Sequence, residues 1–129
     1  MDNLNGQDVY DKSIVIDGLN VSKWDSTALY TSLNKGGVTA INATIAIWEG
    51  FHETMRNLEQ WYTRFTANNN LMHANSVSDI IKAKSDGKTA IIFGWQNASP
   101  IENRLDRLQL FHALGVRIIQ ITYNERNLL

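Results

Sequence analysis

Three times this chain runs a glycine into a string of β-branched and other apolar residues. The runs are Gly37-Val38-Thr39-Ala40-Ile41-Asn42-Ala43-Thr44, Gly87-Lys88-Thr89-Ala90-Ile91-Ile92-Phe93-Gly94-Trp95-Gln96 and Gly115-Val116-Arg117-Ile118-Ile119-Gln120-Ile121-Thr122-Tyr123-Asn124. A near-continuous apolar run suits a strand covered on both faces, as in parallel sheets flanked by helices. A glycine ahead of it suits a helix C-cap, where a left-handed residue satisfies the last carbonyls and turns the chain. Helix, cap and buried strand repeated in series predict an α/β fold. The polar residues that close each run then fall at strand C-termini, where such folds hold their ligands.

Along the chain, residues 13–17 read as a short buried strand ending in Asp17, ahead of Gly18, and residues 19–25 as a loop. Ser26 caps a helix that Gly36-Gly37 stops. Phe51, Met55, Leu58, Trp61, Tyr62 and Phe65 recur at steps of three and four, an amphipathic helix that Asn68-Asn69-Asn70 ends. Leu71-Met72-His73 is a brief extended piece. The next helix, capped by Ser76 or Ser78 with Asp79 in its first turn, points Ile80, Ile81 and Ala83 inward. Pro100 begins a last helix to Leu114, with Leu105, Leu108, Phe111, Ala113 and Leu114 as its apolar stripe. Strands at residues 14–17, 38–44, 89–94 and 117–122 are expected to run parallel, each beside the next.

Four strands alternating with helices make either an open doubly wound sheet or half of a (β/α)₈ barrel. Asp17-Gly18-Leu19-Asn20-Val21-Ser22 lacks the G-x-G-x-x-G spacing, so the nucleotide-binding open sheet loses its main support. A full barrel takes about 250 residues; 129 residues amount to about half. The expectation is therefore one partial domain over residues 1–129, the first four strands of the N-terminal half of a barrel, in a truncated chain. Its open first and fourth strands would favour self-association.

Composition narrows the function. With 12 basic against 13 acidic residues and a net charge of −1, no basic face is available for nucleic acid or an anionic membrane. The absence of cysteine excludes thiolate metal sites, disulfides and cysteine nucleophiles. No apolar stretch approaches the roughly 18 residues that span a bilayer. The first six residues are polar and lack a signal-peptide pattern, which leads to the expectation of a cytoplasmic protein.

The ordered set Val15-Ile16-Asp17-Gly18-Leu19-Asn20, Gly87 to Gly94, Gln96-Asn97-Ala98-Ser99-Pro100 and Leu114 to Asn124 resembles the membrane (renal-type) dipeptidase family of zinc metallopeptidases. The similarity covers nearly the whole chain and corresponds to the N-terminal portion of a family member. It implies a (β/α)₈ barrel that hydrolyses dipeptides with a pair of zinc ions at the strand ends. The family's first strand ends Asp-Gly-His-x-Asp, whose His and second Asp bind zinc; Leu19 and Val21 stand there, and neither can ligate. Gln96 takes the place of the metal-bridging Glu, and Tyr123 that of a histidine in Thr-His-Asn. The two remaining family histidines belong to later strands, beyond Leu129. With the strands and caps intact, the pattern reads as a divergent branch whose metal-ligand positions are replaced.

The candidate site is accordingly neutral: Asp17, Asn20, Gln96, Asn97 and Asn124 to bind substrate, with Thr44 alongside and Tyr123 as the catalytic candidate, its phenol able to donate a proton. These residues are expected on one rim. Asp17 has the competing role of capping its loop, and Tyr123 that of an aromatic plug. Glu49, behind the second strand, is a possible substitute base or ligand, whereas Glu102 belongs to the first turn after Pro100, favoured by the helix dipole. His52, His73 and His112 are scattered, and His73 reads as a surface or loop residue. Trp24, Trp48 and Trp95 lie near strand ends and can wall a pocket or pack over the barrel mouth. Two functions follow: part of a dipeptide-hydrolysing enzyme whose 129 residues alone are inactive, or a non-catalytic relative that binds a small polar ligand.

Overall fold

The computed structural model describes residues 5–129. Its elements are α1 (Gly6–Lys12), β1 (Ile16–Asn20), α2 (Thr27–Lys35), β2 (Ala40–Ala46), α3 (Phe51–Ala67), β3 (Leu71–His73), α4 (Val77–Ser85), β4 (Thr89–Trp95), a 3₁₀ turn (Ser99–Ile101), α5 (Arg107–Ala113) and β5 (Val116–Ile119). All strand pairings are parallel. The repeated glycines do what the sequence predicts: Gly37, Gly87 and Gly115 have φ of +70°, +65° and +92°, each closing a helix and opening the approach to a strand.

β1, β2, β4 and β5 are neighbours in that order, as a barrel requires. β3 adds a fifth strand. It pairs with residues 89–91 of β4, while β5 pairs with residues 93–95, so the two share one edge of β4. This is a departure from simple succession, and it has a consequence for α4. The step from β2 to β3 passes over β4, and the step from β3 to β4 runs backwards. Right-handed crossovers then put α3 and α4 on opposite faces.

The two cores bear this out. On one face Ile41, Ala43, Ile45, Ile91, Phe93 and Trp95 pack with Tyr30 of α2, Leu58 and Trp61 of α3 and Phe111 of α5. On the other, Ala40 and Ala90 meet Ala74, Ala83, Ile80 and Ile92. Four alanines let α4 approach the first residues of the strands closely, leaving their C-terminal ends on that face clear of α4. Ser76 caps α4 through a capping box with Asp79, as expected.

Several local expectations need correction. The first strand begins later than predicted, at Ile16, and continues through Asn20; Ile16 and Leu19 are more than half exposed, so it is no buried strand. β5 is shorter than predicted, and of its residues only Val116 is buried. Both lie at sheet edges, where one neighbour is missing. Ile81 points outward, because only one face of α4 meets the sheet. The helix expected from Pro100 breaks: after the 3₁₀ turn Glu102 takes φ +54°, and α5 starts at Arg107. Leu105, Leu108 and Ala113 are exposed, leaving Phe111 as the anchor and Leu114 packed against the core. α1 was not predicted, although the Asn5–Asp8 capping box is legible in the sequence.

Candidate functional site

Parallel strands deliver their C-terminal ends to one rim, and three loops meet there. Gln96 follows β4 and its Nε2 donates to Thr44 Oγ1 of β2 at 3.1 Å. Gln96 is buried, and its one side-chain hydrogen bond among the described residues is this one from Nε2, which leaves Oε1 uncommitted. Asn97 is fully buried and its amide is occupied. Its Oδ1 accepts from Ser99 N (3.1 Å), Ser99 Oγ (2.9 Å) and Asn127 Nδ2 (2.8 Å). Its Nδ2 makes longer contacts with the carbonyls of Tyr123 and Glu125. Asn97 therefore clamps the 121–127 segment over the strand ends.

Tyr123 and Asn124 lie in that segment. Asn124 has φ +57°, a left-handed conformation that Asn tolerates, and Glu125 N returns to Tyr123 O at 2.7 Å. The Trp48 indole N–H, from the β2–α3 loop, also donates to Tyr123 O, at 2.9 Å, and the Trp48 and Tyr123 rings stack at 6.0 Å and 14°. Glu49 is drawn into the same loop: its Oε2 accepts from Ile47 N (2.6 Å) and Trp48 N (3.0 Å), a local cap rather than a group aimed at a ligand.

Asp17 and Asn20 belong to β1, where Asn20 pairs with Ala43, the residue before Thr44, and the two bond first to each other. Asp17 lies inside β1 rather than at its end, accepting from Leu19 N (3.1 Å) and Asn20 Nδ2 (2.8 Å). Asn20 Oδ1 in turn accepts from Ser22 N, so the pair shapes the loop after β1. The structure thus brings Thr44, Gln96, Asn97, Tyr123 and Asn124 together around β2, β4 and β5, while Asp17 and Asn20 bond to each other at the end of β1.

One more amide, Asn42, lies within β2. Its Nδ2 donates to Gly18 O at 2.9 Å, tying β2 to β1, while its buried Oδ1 has no partner among the described residues. Gly94 lies directly against it; a Cβ there would come within 2.0 Å of Oδ1. An amide within the apolar run Ala40-Ile41-Asn42-Ala43 is its signal in the sequence, since buried polar groups need a specific partner.

Two charged or titratable residues differ from expectation. Glu102 is not in a helix's first turn. It bonds Arg107 Nη1 at 2.5 Å and accepts from Phe51 N at 3.3 Å, capping α3 where Gly50 offers no side chain. Arg107, followed by that backbone bond, holds its carboxyl below the usual glutamate range. His73 is no surface residue. Its ring lies 4.2 Å from that of Phe93 and stacks on Phe65, and its Nε2 is buried with no hydrogen-bond partner among the described residues. Desolvation lowers its proton affinity.

The residues present do not fit a zinc centre. Leu19 and Val21 are exposed and carry no donor atom. Gln96 commits its Nε2 to Thr44. Among the described residues no three His, Cys, Asp or Glu side chains are grouped to hold a metal ion. No helix among these residues is long and apolar enough to cross a membrane.

The sequence profile of the membrane dipeptidase family (peptidase family M19) matches residues 6–129. No curated protein matches. Among solved structures, an amidohydrolase from Pseudomonas aeruginosa superposes with a TM-score of 0.94 at 40% identity, over 97% of this chain and 38% of that one. The probable dipeptidase PvdM from Pseudomonas aeruginosa gives 0.79 at 16% identity, over 94% of this chain and 37% of that one. A metallo peptidase from Rhodobacter sphaeroides, liganded with a phosphinate mimic of the dipeptide L-Ala-D-Ala, gives 0.66 at 15% identity, over 82% and 44%. The chain spans about two fifths of the length of these structures. Strand order, covering helices and these likenesses together identify the fold as the N-terminal half of a (β/α)₈ barrel, and the chain belongs to the membrane dipeptidase family, peptidase family M19.

Proposed function

We propose that this chain forms the part of a dipeptide-hydrolysing amidohydrolase that grips the substrate's peptide unit at the strand-end rim. The observation that carries the reading is the open Gln96 Oε1, fixed beside Thr44 by the Nε2 bond, in a chain of the dipeptidase family. A fixed neutral acceptor suits a peptide N–H, because neither partner loses a charge from water on binding. Tyr123 supplies the one phenol of the set, a group able to donate a hydrogen bond or a proton to a substrate oxygen. Asn97 and Asn124 set the segment that carries Tyr123, and Asp17 with Asn20 shape the neighbouring loop. We take residues 1–129 as one partial domain, the first four barrel strands, in a cytoplasmic protein. The ligand positions of this chain, Leu19, Val21 and Gln96, do not fit a metal ion.

Calorimetric titration with L-Ala-L-Ala tests the grip. Gln96→Ala is expected to weaken binding about fivefold, the worth of one ordinary hydrogen bond. Unchanged affinity in a folded variant would overturn this assignment.

A second reading, a non-catalytic binder of small polar ligands, is favoured by one observation: Leu19, Val21 and Gln96 all stand where the family resemblance places metal ligands. A dipeptide hydrolysis assay with and without added zinc, on a chain that includes the later barrel strands, separates the two. Turnover supports the hydrolase, and binding without turnover supports the binder.

A further inference from the structure

Of the four tryptophans, Trp61 and Trp95 are buried and Trp24 packs against the core, whereas Trp48 is 47% exposed. Its stacking partner Tyr123 is 37% exposed. Aromatic residues that merely plug the end of a sheet are expected to be covered, as Trp95 is. This pair is instead joined by the indole hydrogen bond and by stacking, with both rings part-exposed in these 129 residues. Glu49 fixes the backbone under Trp48, and the Tyr123 carbonyl accepts from the Trp48 indole, from Glu125 N and, at longer range, from Asn97. The Trp48 ring, tied by its own N–H, has therefore already lost much of the rotamer freedom that binding would otherwise cost, and the Tyr123 ring rests against it.

The spacing sets what such a pair can do. A flat group sandwiched between two rings needs about 7 Å, twice the carbon contact distance; at 6.0 Å the gap is too narrow. Near-parallel rings at that separation are offset, so together they present a broader apolar surface than either alone. The surface lies on the same rim as Gln96, whose neighbour Asn97 touches Tyr123.

The geometry points to Trp48 and Tyr123 as a side-chain subsite that selects dipeptides carrying an aromatic residue. This rests on the reading of the rim as the place where a peptide unit is gripped. The peptide group meets Gln96, and the adjoining aromatic side chain lies across the Trp48–Tyr123 surface.

The test compares L-Ala-L-Phe with L-Ala-L-Ala on the full 129-residue chain, by calorimetry and by the NMR resonance of the Trp48 indole N–H. L-Ala-L-Phe is expected to bind about threefold to tenfold more tightly, the range for an aromatic pair, and to shift the indole resonance. Trp48→Ala is expected to level the two affinities, and Trp48→Phe to keep part of the preference. Equal affinities in the unmodified chain, or a preference that survives in folded Trp48→Ala, would overturn the subsite and leave the peptide grip standing. Failure of both dipeptides to bind would overturn both. Should Trp48→Ala not fold, the indole resonance decides: a shift with L-Ala-L-Phe alone supports the subsite, and no shift refutes it.

Discussion

β4 and β5 carry the same sequence signature, a glycine followed by an apolar run, yet end in different surroundings. Every residue of β4 except Ile92 is buried, because β2 lies on one side, β3 and β5 on the other, and helices cover both faces. β5 has β4 on one side only, and Arg117, Ile118 and Ile119 are exposed. β1, at the opposite edge, repeats the contrast. An apolar run therefore reports that a segment can form a buried strand. Whether it is buried depends on neighbours that the run itself does not specify.

The sharpest way to break this comparison is to truncate a large apolar side chain in each place. Phe93→Ala, in the shared aromatic cluster, is expected to cost about 3–5 kcal/mol, whereas Ile119→Ala on the exposed edge is expected to cost less than about 1 kcal/mol. Urea unfolding of the two variants measures both. Similar losses would mean that β5 is covered in solution and that the contrast is false.

A smaller effect separates two of the repeated glycines. Gly87→Ala meets no atom of the described residues within 4 Å, so only its left-handed backbone is penalised, by about 1–2 kcal/mol. Gly115→Ala carries that penalty and also places a Cβ 2.0 Å from His73 Cε1. The ring cannot easily retreat, being wedged against Phe65 and Phe93. Thermal unfolding should rank Gly115→Ala clearly below Gly87→Ala; equal midpoints would show that the His73 ring is free to move.

The smallest effect concerns pH. Burial depresses the proton affinity of His73 below the ordinary histidine value of 6.5, against a raising effect from the Gly115 carbonyl and Asp79, while Arg117 adds to the depression. Below 6.5 the unfolded chain takes up a proton that the folded chain refuses. Stability is thus full above that value and declines as pH falls toward the lower folded value. Unfolding midpoints from about pH 8 to about pH 5 should drop more steeply in the native chain than in His73→Gln. Parallel slopes would place the histidine in solvent.

Much of this was legible beforehand for a physical reason. The glycine caps, the α3 stripe and the Ser76–Asp79 cap are local, written within a few residues of one another, so pattern alone could find them. The aromatic face of α3 met the core as its spacing implied, with Leu58 and Trp61 buried. The candidate rim was also visible, since parallel strands carry Gln96 and Tyr123 to one end. What each residue does there was not: Asn97 holds the chain's own segment, Asp17 turns back to Asn20, and Trp48 joins Tyr123 across 75 positions of sequence.

The sequence by itself determined the alternation of helix and strand, the left-handed turns at Gly37, Gly87 and Gly115, and the identity of the polar groups at the strand ends. These depend on backbone sterics and on periodicity, which act over a few residues. Tertiary structure alone decided that β3 pairs beyond β4, that α4 lies on the face opposite α3, and that Glu102 caps a helix 51 residues away. It also decided which apolar runs are covered and which amides remain open at the rim. Those outcomes depend on crossover handedness and on which surfaces meet, and neither is encoded in any single segment.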